Sequence, residues 1–399
     1  MKDLSFMERL LDGVEVKTIH LGDLTTLQRG KRLIKSELQE SGKYAVFQNS
    51  MIPLGYYHES NVSADTTFII CAGAAGEVGY SATEFWAADD VFTMSAPSRI
   101  LSKYLYHALL DQKGKILSQV RRASIPRLSR LSVEKLLVPI PCPENPEKSL
   151  QIQAEIVRIL DAFTAHTAEL TAELTARKKQ YNYYRDKLLS FEDGEVEWKP
   201  LGDENVGRFV RGGGLQKKDF TETGVGCIHY GQIYTHYGTF ADKTKTFVSE
   251  LFAKKAKMAQ TGDLVIATTS ENDEDVCKAV AWLGCEEVAV SSDACIYKHK
   301  LDPKYVSYFF QTEHFQKQKR PFITGTKVRR VNADNLAKIL IPVPAFEEQV
   351  RIANILDHFD AITNSITEGL PREIELRQKQ YEYYRDLLLS FPKPDEKAA

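Results

Sequence analysis

The sequence predicts an α/β (α+β) protein in which two mixed α/β domains are separated by two long antiparallel helices that form a coiled coil. Three observations support this prediction. The chain has 399 residues, enough for two to four domains at roughly 100 to 200 residues each. Its second half repeats motifs of the first half in the same order, which indicates a pseudo-two-fold internal repeat. Each half ends in a long stretch with the residue spacing of a coiled coil.

The repeat is visible at both ends of each half. The first half ends in segment 176–191, which contains YNYYRD, and the second half ends in 375–391, which contains YEYYRD. Before these lie related segments at 153–163 and 349–359, and before those the proline-rich stretches VPIP at 138–141 and IPVP at 341–344. Each half opens on a related segment, VKTIHLGD at 16–23 and VEWKPLGD at 196–203. We therefore expect a first domain at 1–143 followed by a spacer helix at 144–191, and a second domain at 192–344 followed by a spacer helix and tail at 345–399.

Between these ends the two halves differ in residues but share an order of elements. In the first half, runs rich in apolar and aromatic residues predict strands at 44–48, 67–71, 78–81 and 91–94, then a helix near 103–110. In the second half we expect strands at 227–230, 264–268, 279–283, 288–291 and 295–297, then a helix near 304–311. Two recognition modules on one frame would have this organisation, and a duplication that has simply drifted is the alternative.

The first long helix is predicted to start near Gln151. Its apolar and aromatic residues are spaced alternately by four and three residues as far as Leu188, which is the pattern of a coiled-coil seam. A helix of about 40 residues would be about 60 Å long, against an average of about 11 to 12 residues in globular domains. We expect such a helix to separate the two domains.

The second long helix differs from the first in its middle. Two successive steps of four residues follow Ile366, which indicates a four-residue stutter. Gly369 and Pro371 lie where the first helix has TAELTAEL at 167–174. Because an interior proline removes a helical hydrogen bond, we expect a kink there. The two long helices match each other at both ends and differ in the middle, which favours an antiparallel pair of helices. Two separate dimerisation helices are the alternative.

Composition excludes a disordered, collagenous or membrane-embedded chain, since 43% of the residues are apolar and 27% are charged. Residues 1–13 include Asp3 and Glu8 and lack the apolar core of a signal peptide, and no stretch approaches about 18 apolar residues. We therefore expect a cytoplasmic protein without membrane contacts. The six cysteines form no C-x-x-C pair and are expected to be reduced. The net charge of −2 does not indicate a class of binding partner, so any nucleic-acid contact must come from local basic clusters.

These motifs resemble the specificity subunit of type I restriction–modification enzymes. The resemblance rests on the proline-rich stretches followed by Glu/Gln-rich helix starts, the paired Tyr-x-Tyr-Tyr-Arg-Asp helix ends and the LLSF-to-EVEWKPLGD junction. The TAEL tandem together with RKKQYNYYRD resembles the TAEL-repeat subgroup, type IC. The resemblance implies two target recognition domains, each reading one half of an interrupted DNA sequence, with the helices setting the gap. One departure is that the first half has only two TAEL units and the second half none.

The resemblance also implies the partners of the chain. They are double-stranded DNA, two methyltransferase (modification) subunits and restriction/translocase subunits. It implies no cofactor in this chain, with S-adenosylmethionine, ATP and Mg in the partner subunits. Such a chain positions its partner subunits on DNA without catalysing a reaction, and it is not an enzyme.

The residues themselves agree with a non-catalytic role. The chain has no G-x-x-x-x-G-K-[ST] motif, so a phosphate-binding ATPase loop is missing. The glycine-rich segment 73–79 lacks the dinucleotide-binding spacing and is expected to connect two strands. Asn145-Pro146-Glu147 has no aromatic residue to stack on a flipped base and is expected to be a loop before a helix. A self-contained DNA-modifying enzyme and a coiled-coil scaffold that binds no DNA are the alternatives.

Basic clusters with polar neighbours occur in both halves. Lys and Arg neutralise phosphates, whereas Arg, Asn and Gln can also make paired hydrogen bonds to base edges. A solvated surface is the alternative for any one cluster. The residues expected to contact DNA are Arg29, Lys31, Arg32, Gln48, Asn49, Arg121 and Arg122 in the first half, and Arg211, Lys217, Lys218, His229, Tyr230, Gln232, Lys327, Arg329 and Arg330 in the second. Arg29, Lys31 and Arg32 are expected in a loop.

The helix ends carry a second set of candidates. The paired motifs are expected to provide packing and partner-subunit contacts rather than base contacts. These residues are Tyr181, Tyr184 and Arg185 in the first half and Tyr381, Tyr384 and Arg385 in the second. No metal-ligating residues are expected.

Overall fold

The chain folds as two compact units in a computed structural model that describes residues 10, 13–192, 194–365 and 368–391. One unit comprises Met1–Glu169 with Glu375–Ala399, and the other comprises Leu170–Ile374. Most of the segment that we expected not to be a signal peptide, and the predicted seam position Ile366, lie outside the described residues.

The first unit is built from a four-stranded antiparallel sheet, a three-stranded mixed sheet and a strand pair. Its strands are β1 (Val16–His20), β2 (Leu27–Arg29), β3 (Tyr44–Phe47), β4 (Gly55–Tyr57), β5 (Thr66–Ile70), β6 (Val78–Ser81), β7 (Trp86–Ala87), β8 (Val91–Met94) and β9 (Leu137–Pro141). Its helices are α1 (Leu21–Leu24), α2 (Ser102–Asp111), α3 (Lys113–Ser118), α4 (Arg130–Glu134) and the first part of α5 (Pro146–Leu188).

In this unit β5 is the central strand of a four-stranded sheet with the order β2-β8-β5-β6. All five residues of β5 are buried, as its continuous run of Thr, Phe and Ile predicts for a strand covered on both faces. Helix α2 buries Tyr104, Leu105, Ala108 and Leu109 in the same core. The other sheet has the order β4-β3-β7, and β1 pairs with β9.

The second unit repeats this plan with larger sheets. Its strands are β10 (Glu197–Pro200), β11 (Gly207–Arg211), β12 (Phe220–Thr221), β13 (Val225–Ile228), β14 (Phe240–Ala241), β15 (Thr246–Val248), β16 (Met258–Ala259), β17 (Leu264–Ala267), β18 (Thr269–Ser270), β19 (Ala279–Trp282), β20 (Val288–Val290), β21 (Ala294–His299), β22 (Arg329–Arg330) and β23 (Leu340–Val343). Its helices are the last part of α5, α6 (Tyr230–Thr235), α7 (Glu250–Ala253), α8 (Pro303–Phe309), α9 (Glu313–Lys319), α10 (Ala333–Leu336) and α11 (Phe346–Asn364).

In the second unit β17 is the strand equivalent to β5, and it lies in the middle of a sheet with the order β11-β21-β17-β19-β14. The second sheet has the order β12-β15-β13-β20-β16, and two strand pairs, β10-β23 and β18-β22, complete the unit. Every predicted strand and helix of both halves is confirmed to within a few residues. The glycine-rich segment 73–79 joins β5 to β6, as predicted.

Two details of the prediction are wrong. The strand expected at 227–230 ends at Ile228, because the His229 side chain accepts a hydrogen bond from Gly231 N and caps helix α6. Arg29 lies at the end of β2 rather than in a loop, since β2 pairs with β8 in a register that sets Arg29 opposite Phe92.

The repeated motifs form the frame of each unit. The opening segment pairs with the proline-rich stretch in both, β1 with β9 and β10 with β23. Tyr104 Oη donates to Pro139 O at 2.8 Å, and Tyr305 Oη donates to Pro342 O at 3.0 Å. These hydrogen bonds explain why the ends of the two halves match while the interiors differ.

The start of each long helix is fixed to its unit in the same way. The side-chain oxygen of Gln153 accepts from Leu101 N at 2.9 Å, and that of Gln349 accepts from Asp302 N at 2.9 Å. About two turns later in each helix an aspartate forms an ion pair of 2.6 Å with the unit, Asp161 with Lys103 and Asp357 with Lys304. Both glutamines lie in the repeated segments at 153–163 and 349–359.

Helix α5 is continuous for 43 residues, Pro146 to Leu188, which confirms the predicted long helix. It starts five residues before the expected position, because Pro146 suits the first helical turn and the Asn145 side chain accepts from Lys148 N at 3.1 Å. The loop expected at Asn145-Pro146-Glu147 is therefore wrong for its last two residues, since Pro146 and Glu147 already belong to the helix.

The second helical segment is broken rather than kinked, which corrects the expectation of one continuous spacer helix. Helix α11 ends at Asn364, and α12 (Gly369–Ser390) begins after the break. Gly369 has a φ of +76°, and a Cβ there would lie 2.4 Å from the carbonyl oxygen of Ala361. Pro371 then falls in the first turn of α12, where its missing N–H costs nothing. In the described part of the chain, no helix is long and apolar enough to cross a membrane.

The core of each unit includes residues from both helical segments. In the first unit, Ile156 and Leu160 from α5 and Leu388 from α12 are all fully buried. In the second unit, Leu189, just after the end of α5, packs with Leu356 from α11. Each unit therefore combines the start of the helix that follows it with the end of the other helix.

Candidate nucleic-acid interface

The ends of the central strands β5 and β17 have the same surroundings in the two units. After β5, Cys71 N donates to the carbonyl oxygen of Asp90 at 2.7 Å. After β17, Thr268 N donates to the carbonyl oxygen of Asp293 at 3.0 Å. These equivalent positions provide a common reference for the basic residues.

An Arg-Gly dipeptide lies beside each strand end. Gly30 N donates to Val91 O at 3.0 Å, and Gly212 N donates to Ala294 O at 3.0 Å. A Cβ on Gly30 would lie 2.2 Å from the carbonyl oxygen of Ala88, and one on Gly212 would lie 2.0 Å from that of Ser291. Only glycine allows this close approach, so the preceding arginines, Arg29 and Arg211, occupy equivalent positions.

A short hairpin crosses each strand end. In the first unit, Arg121 and Arg127 exchange two backbone hydrogen bonds of 2.8 and 3.1 Å. In the second unit, Thr324 and Arg330 exchange two of 2.9 Å. The residue after each hairpin is hydrogen-bonded to the strand end. Leu128 N donates to Cys71 O at 2.8 Å, and Val331 N donates to Thr268 O at 3.1 Å. We call 121–127 and 324–330 the arginine hairpins.

The polar residues predicted to read bases lie beside the same strand ends. Ala88 N donates to Phe47 O at 2.9 Å, and Ser291 N donates to Ile228 O at 3.2 Å, so Gln48-Asn49 and His229-Tyr230 follow equivalent residues. Asn49 O accepts from Ala74 N at 2.8 Å, which holds the Asn49 backbone against the glycine-rich loop.

The structure therefore brings together residues that lie far apart in sequence, in what we call the strand-end cluster of each unit. The cluster contains Arg29, Gln48, Asn49, Arg121, Arg122 and Arg127 in the first unit, and Arg211, Tyr230, Lys327, Arg329 and Arg330 in the second. Apart from Gln48, Tyr230 and Arg329, which are partly buried, these side chains are exposed.

The electrostatics of the first cluster are dominated by cations. Burial raises the pKa of the Cys71 thiol to about 11, and the nearby guanidinium groups of Arg29 and Arg127 oppose this rise. Arg29 Nε donates to the backbone oxygen of Asp89 at 2.6 Å, which fixes the direction of its side chain.

In the second cluster, Arg211 and Arg330 line an open cleft of about 290 Å³ with Thr268, Thr269 and Asn332. Arg329 Nε forms an ion pair of 2.8 Å with Asp273. Cationic side chains on a surface with hydrogen-bonding groups can bind phosphates and the edges of bases.

The sequence matches known proteins over its whole length. A family model described as the type I restriction modification DNA specificity domain matches residues 13–178 and 204–376. The chain belongs to the type I restriction–modification DNA specificity family. It is 37% identical over 406 residues to the EcoR124I/EcoR124II specificity subunit of Escherichia coli, with 99% of each chain covered. It is 28% identical to the EcoprrI specificity subunit of Escherichia coli, with 92% of this chain and 93% of that one covered.

A solved structure shares the fold. The S subunit of a type I restriction–modification system from M. genitalium matches with a TM-score of 0.60 at 16% identity, covering 96% of this chain and 98% of that one. As a specificity subunit, the chain is a non-catalytic, DNA-recognising component of a restriction–modification complex, which agrees with the missing ATPase and base-stacking motifs. Within the described residues, no three His, Cys, Asp or Glu side chains are grouped as a metal site would need.

Some predicted site residues of this specificity subunit face inward. His229 is 8% exposed, and burial, followed by the charge of Lys217, lowers its pKa. The Gln232 side chain accepts from His229 N at 3.0 Å and donates to Thr246 at 3.0 Å, so it stabilises helix α6. Lys217 and Lys218 are exposed on a 3-10 turn, and Lys31 and Arg32 are exposed just after β2.

The tyrosine motifs at the helix ends are packed into the specificity subunit. Tyr181 and Tyr381 are 3% and 4% exposed. Tyr181 Oη donates to Gln311 at 3.1 Å, and Tyr381 Oη lies 3.1 Å from Nδ1 of His107. These two side chains therefore pack within their units and leave almost no surface for the direct partner contact that the sequence predicted.

The other members of the tyrosine motifs stack or form ion pairs, with Tyr184 exposed, Tyr384 and Arg385 partly buried and Arg185 buried. Tyr184 stacks on Phe359 at 5.6 Å, and Tyr384 stacks on Phe163 at 5.1 Å. Arg185 and Arg385 each pair with the following aspartate, Asp186 or Asp386. The tyrosine that precedes each stacked tyrosine in the sequence is more exposed: Tyr183 is 61% exposed and Tyr383 is 65% exposed.

One feature of the cluster was missed from the sequence. The Arg-Gly dipeptides at 29–30 and 211–212 were not recognised as a repeat. The signal was present, since the offset of 182 from Arg29 to Arg211 is close to the offset of 180 between the opening segments. Two-residue matches are too short to identify without the strand pairing.

Proposed function

We propose that this chain reads an interrupted DNA sequence in two parts, with one half-site bound by each strand-end cluster. The target recognition domains would be residues 1–143 and 192–344, with the spacer segments 144–191 and 345–399 setting the gap. Base and phosphate contacts would come from the exposed members of the predicted set. These are Arg29, Lys31, Arg32, Asn49, Arg121, Arg122, Arg211, Lys217, Lys218, Lys327 and Arg330, together with the partly buried Gln48, Tyr230 and Arg329.

One observation carries this proposal. The same constellation of an Arg-Gly dipeptide, a strand end and an arginine hairpin occurs in both units, although the surrounding residues differ. A solvated surface has no reason to repeat such an arrangement across unrelated side chains. Buried His229 and Gln232 would support the second cluster rather than contact bases.

The partners proposed are double-stranded DNA, two methyltransferase subunits and restriction/translocase subunits in the cytoplasm, with no membrane contact. S-adenosylmethionine, ATP and Mg would act in those partners and not in this chain. Two equivalent helix ends can recruit two equivalent subunits. The contact surface proposed is the area around Tyr184, Tyr384 and Arg385, of which Tyr184 is exposed and the other two are partly buried. The buried Tyr181, Arg185 and Tyr381 would shape that area from inside.

The test uses the complex assembled with its methyltransferase partners. Replacing residues 13–143 by the equivalent module of another family member should change one half of the modified target and leave the other half intact. Sequencing of modified bases in a host genome reads the result. Simultaneous loss of both half-site specificities in a folded, assembled complex would contradict the proposal.

Point variants test the clusters directly. We expect Arg127→Ala and Arg330→Ala each to weaken binding of target DNA and to reduce the dependence of affinity on salt by roughly one counterion. Arg158→Ala is the matched control, because Arg158 is an exposed arginine on α5, paired with Glu155 and outside either cluster. Equal effects of all three variants would count against the clusters as the DNA surface.

A further inference from the structure

Each arginine hairpin has an exposed apolar side chain near its tip. Ile125 is 52% exposed in the first unit, and Val328 is 44% exposed in the second. The two residues hold the same place, two positions before the arginine that closes the hairpin, Arg127 or Arg330. Both are β-branched aliphatic residues, although their neighbours differ.

The hairpins hold these side chains in place. Each is closed by a reciprocal pair of backbone hydrogen bonds at its base. In the first hairpin Pro126 follows Ile125 and restricts the backbone. In the second, Gly325 has a φ of +90°, and its carbonyl oxygen accepts from Arg329 Nη1 at 2.6 Å. About half of each residue remains exposed, so a ligand that covers this apolar surface would stabilise the complex.

The surroundings restrict what that ligand can be. The hairpins carry Arg121, Arg122 and Arg127 in the first unit and Lys327, Arg329 and Arg330 in the second, so the apolar tip lies among cations. The major groove of DNA combines flanking phosphates with one exposed apolar group, the 5-methyl of thymine, and it is wide enough for a two-stranded ribbon. An aliphatic side chain at the tip of such a ribbon can contact this methyl group at a base edge.

We infer that Ile125 and Val328 are specificity residues that contact the 5-methyl group of a thymine, one in each half-site. The inference rests on the proposed function, since it assigns a base contact within each strand-end cluster. The flanking arginines and lysine hold the phosphates on either side, and the aliphatic side chain distinguishes thymine from cytosine and from uracil at that position.

The experiment measures affinity of the assembled methyltransferase complex for target duplexes in which each thymine is replaced in turn by deoxyuridine, which lacks the methyl group. With the unaltered chain, one position in each half-site should lose about four-fold in affinity, the value for one buried methyl group. Ile125→Ala should weaken binding of thymine DNA and abolish the methyl dependence in the first unit's half-site alone. Val328→Ala should do the same in the other half-site.

The controls are Leu131→Ala and Leu251→Ala, exposed apolar residues outside the hairpins, at 60% and 72% exposure. Both should keep the methyl dependence. A half-site without thymine, or alanine variants that weaken thymine and deoxyuridine DNA equally, would overturn the inference. If the unaltered complex shows no sequence-specific binding at all, the proposed function itself fails, whereas specific binding with unchanged methyl dependence in the variants refutes the inference alone.

Discussion

Inserting one further TAEL unit after Leu174 should widen the gap between the two half-sites and leave both half-sites unchanged. Helix α5 is unbroken through this region, and residues 171–173 and 175–179 are exposed. Thr, Ala, Glu and Leu include strong helix formers, so the insertion should extend the helix rather than interrupt it.

The expected size of the shift follows from helix geometry. Four residues add about 6 Å at 1.5 Å each and rotate the far end by about 40° beyond one turn. One base-pair step of DNA is about 3.4 Å long and turns by about 35°. The added rotation matches one base pair, and the added length corresponds to between one and two. We expect a gap one base pair longer, because a single base-pair step matches the added rotation.

The assay is the mapping of modified bases in a host that carries each variant. Deletion of residues 171–174 is the matched control, because it should shorten the gap by the same step. Insertion and deletion that both retain the old gap with full activity would show that α5 does not measure the gap. Reduced activity at the old target in both variants would mean that they only destabilise the helix.

Three further predictions concern stability and assembly. Burial lowers the pKa of His107 below its usual 6.5. The native unit therefore holds this histidine neutral, and its stability falls as the pH drops below 6.5, where the unfolded chain binds the proton more readily. His107→Gln should flatten the pH dependence of the unfolding temperature. Gly30→Ala and Gly212→Ala should each cost roughly 1–3 kcal/mol in urea unfolding because the added Cβ meets a carbonyl oxygen, whereas Gly114→Ala, with open space around it in helix α3, should stabilise by roughly 0.5–1 kcal/mol. Native mass measurement of the assembled complex should find two methyltransferase subunits per chain, and a single copy at saturation would exclude two equivalent docking surfaces.

The sequence by itself determined the internal repeat, the order of the main strands and of the helix that follows them in each half, and the approximate length of the first long helix. These features are carried by local patterns: β5 is a continuous run of buried strand formers, and α5 keeps its spacing of four and three over many turns. Local patterns predict secondary structure because the periodic spacing of apolar residues reflects both the backbone conformation and the face that is buried.

Only the tertiary structure decided how the candidate site is assembled. Arg29 and Arg127 meet at one strand end because β2 pairs with β8, β8 pairs with β5, and the residue after the arginine hairpin is hydrogen-bonded to the end of β5. These backbone hydrogen bonds depend on register and not on side-chain pattern. Pairing also turned His229 inward as a helix cap, where sequence position alone had suggested a base contact. The break before α12 could be located only from backbone conformation, since a proline can kink a helix or begin a new one, and the left-handed φ of Gly369 makes the latter the stable arrangement.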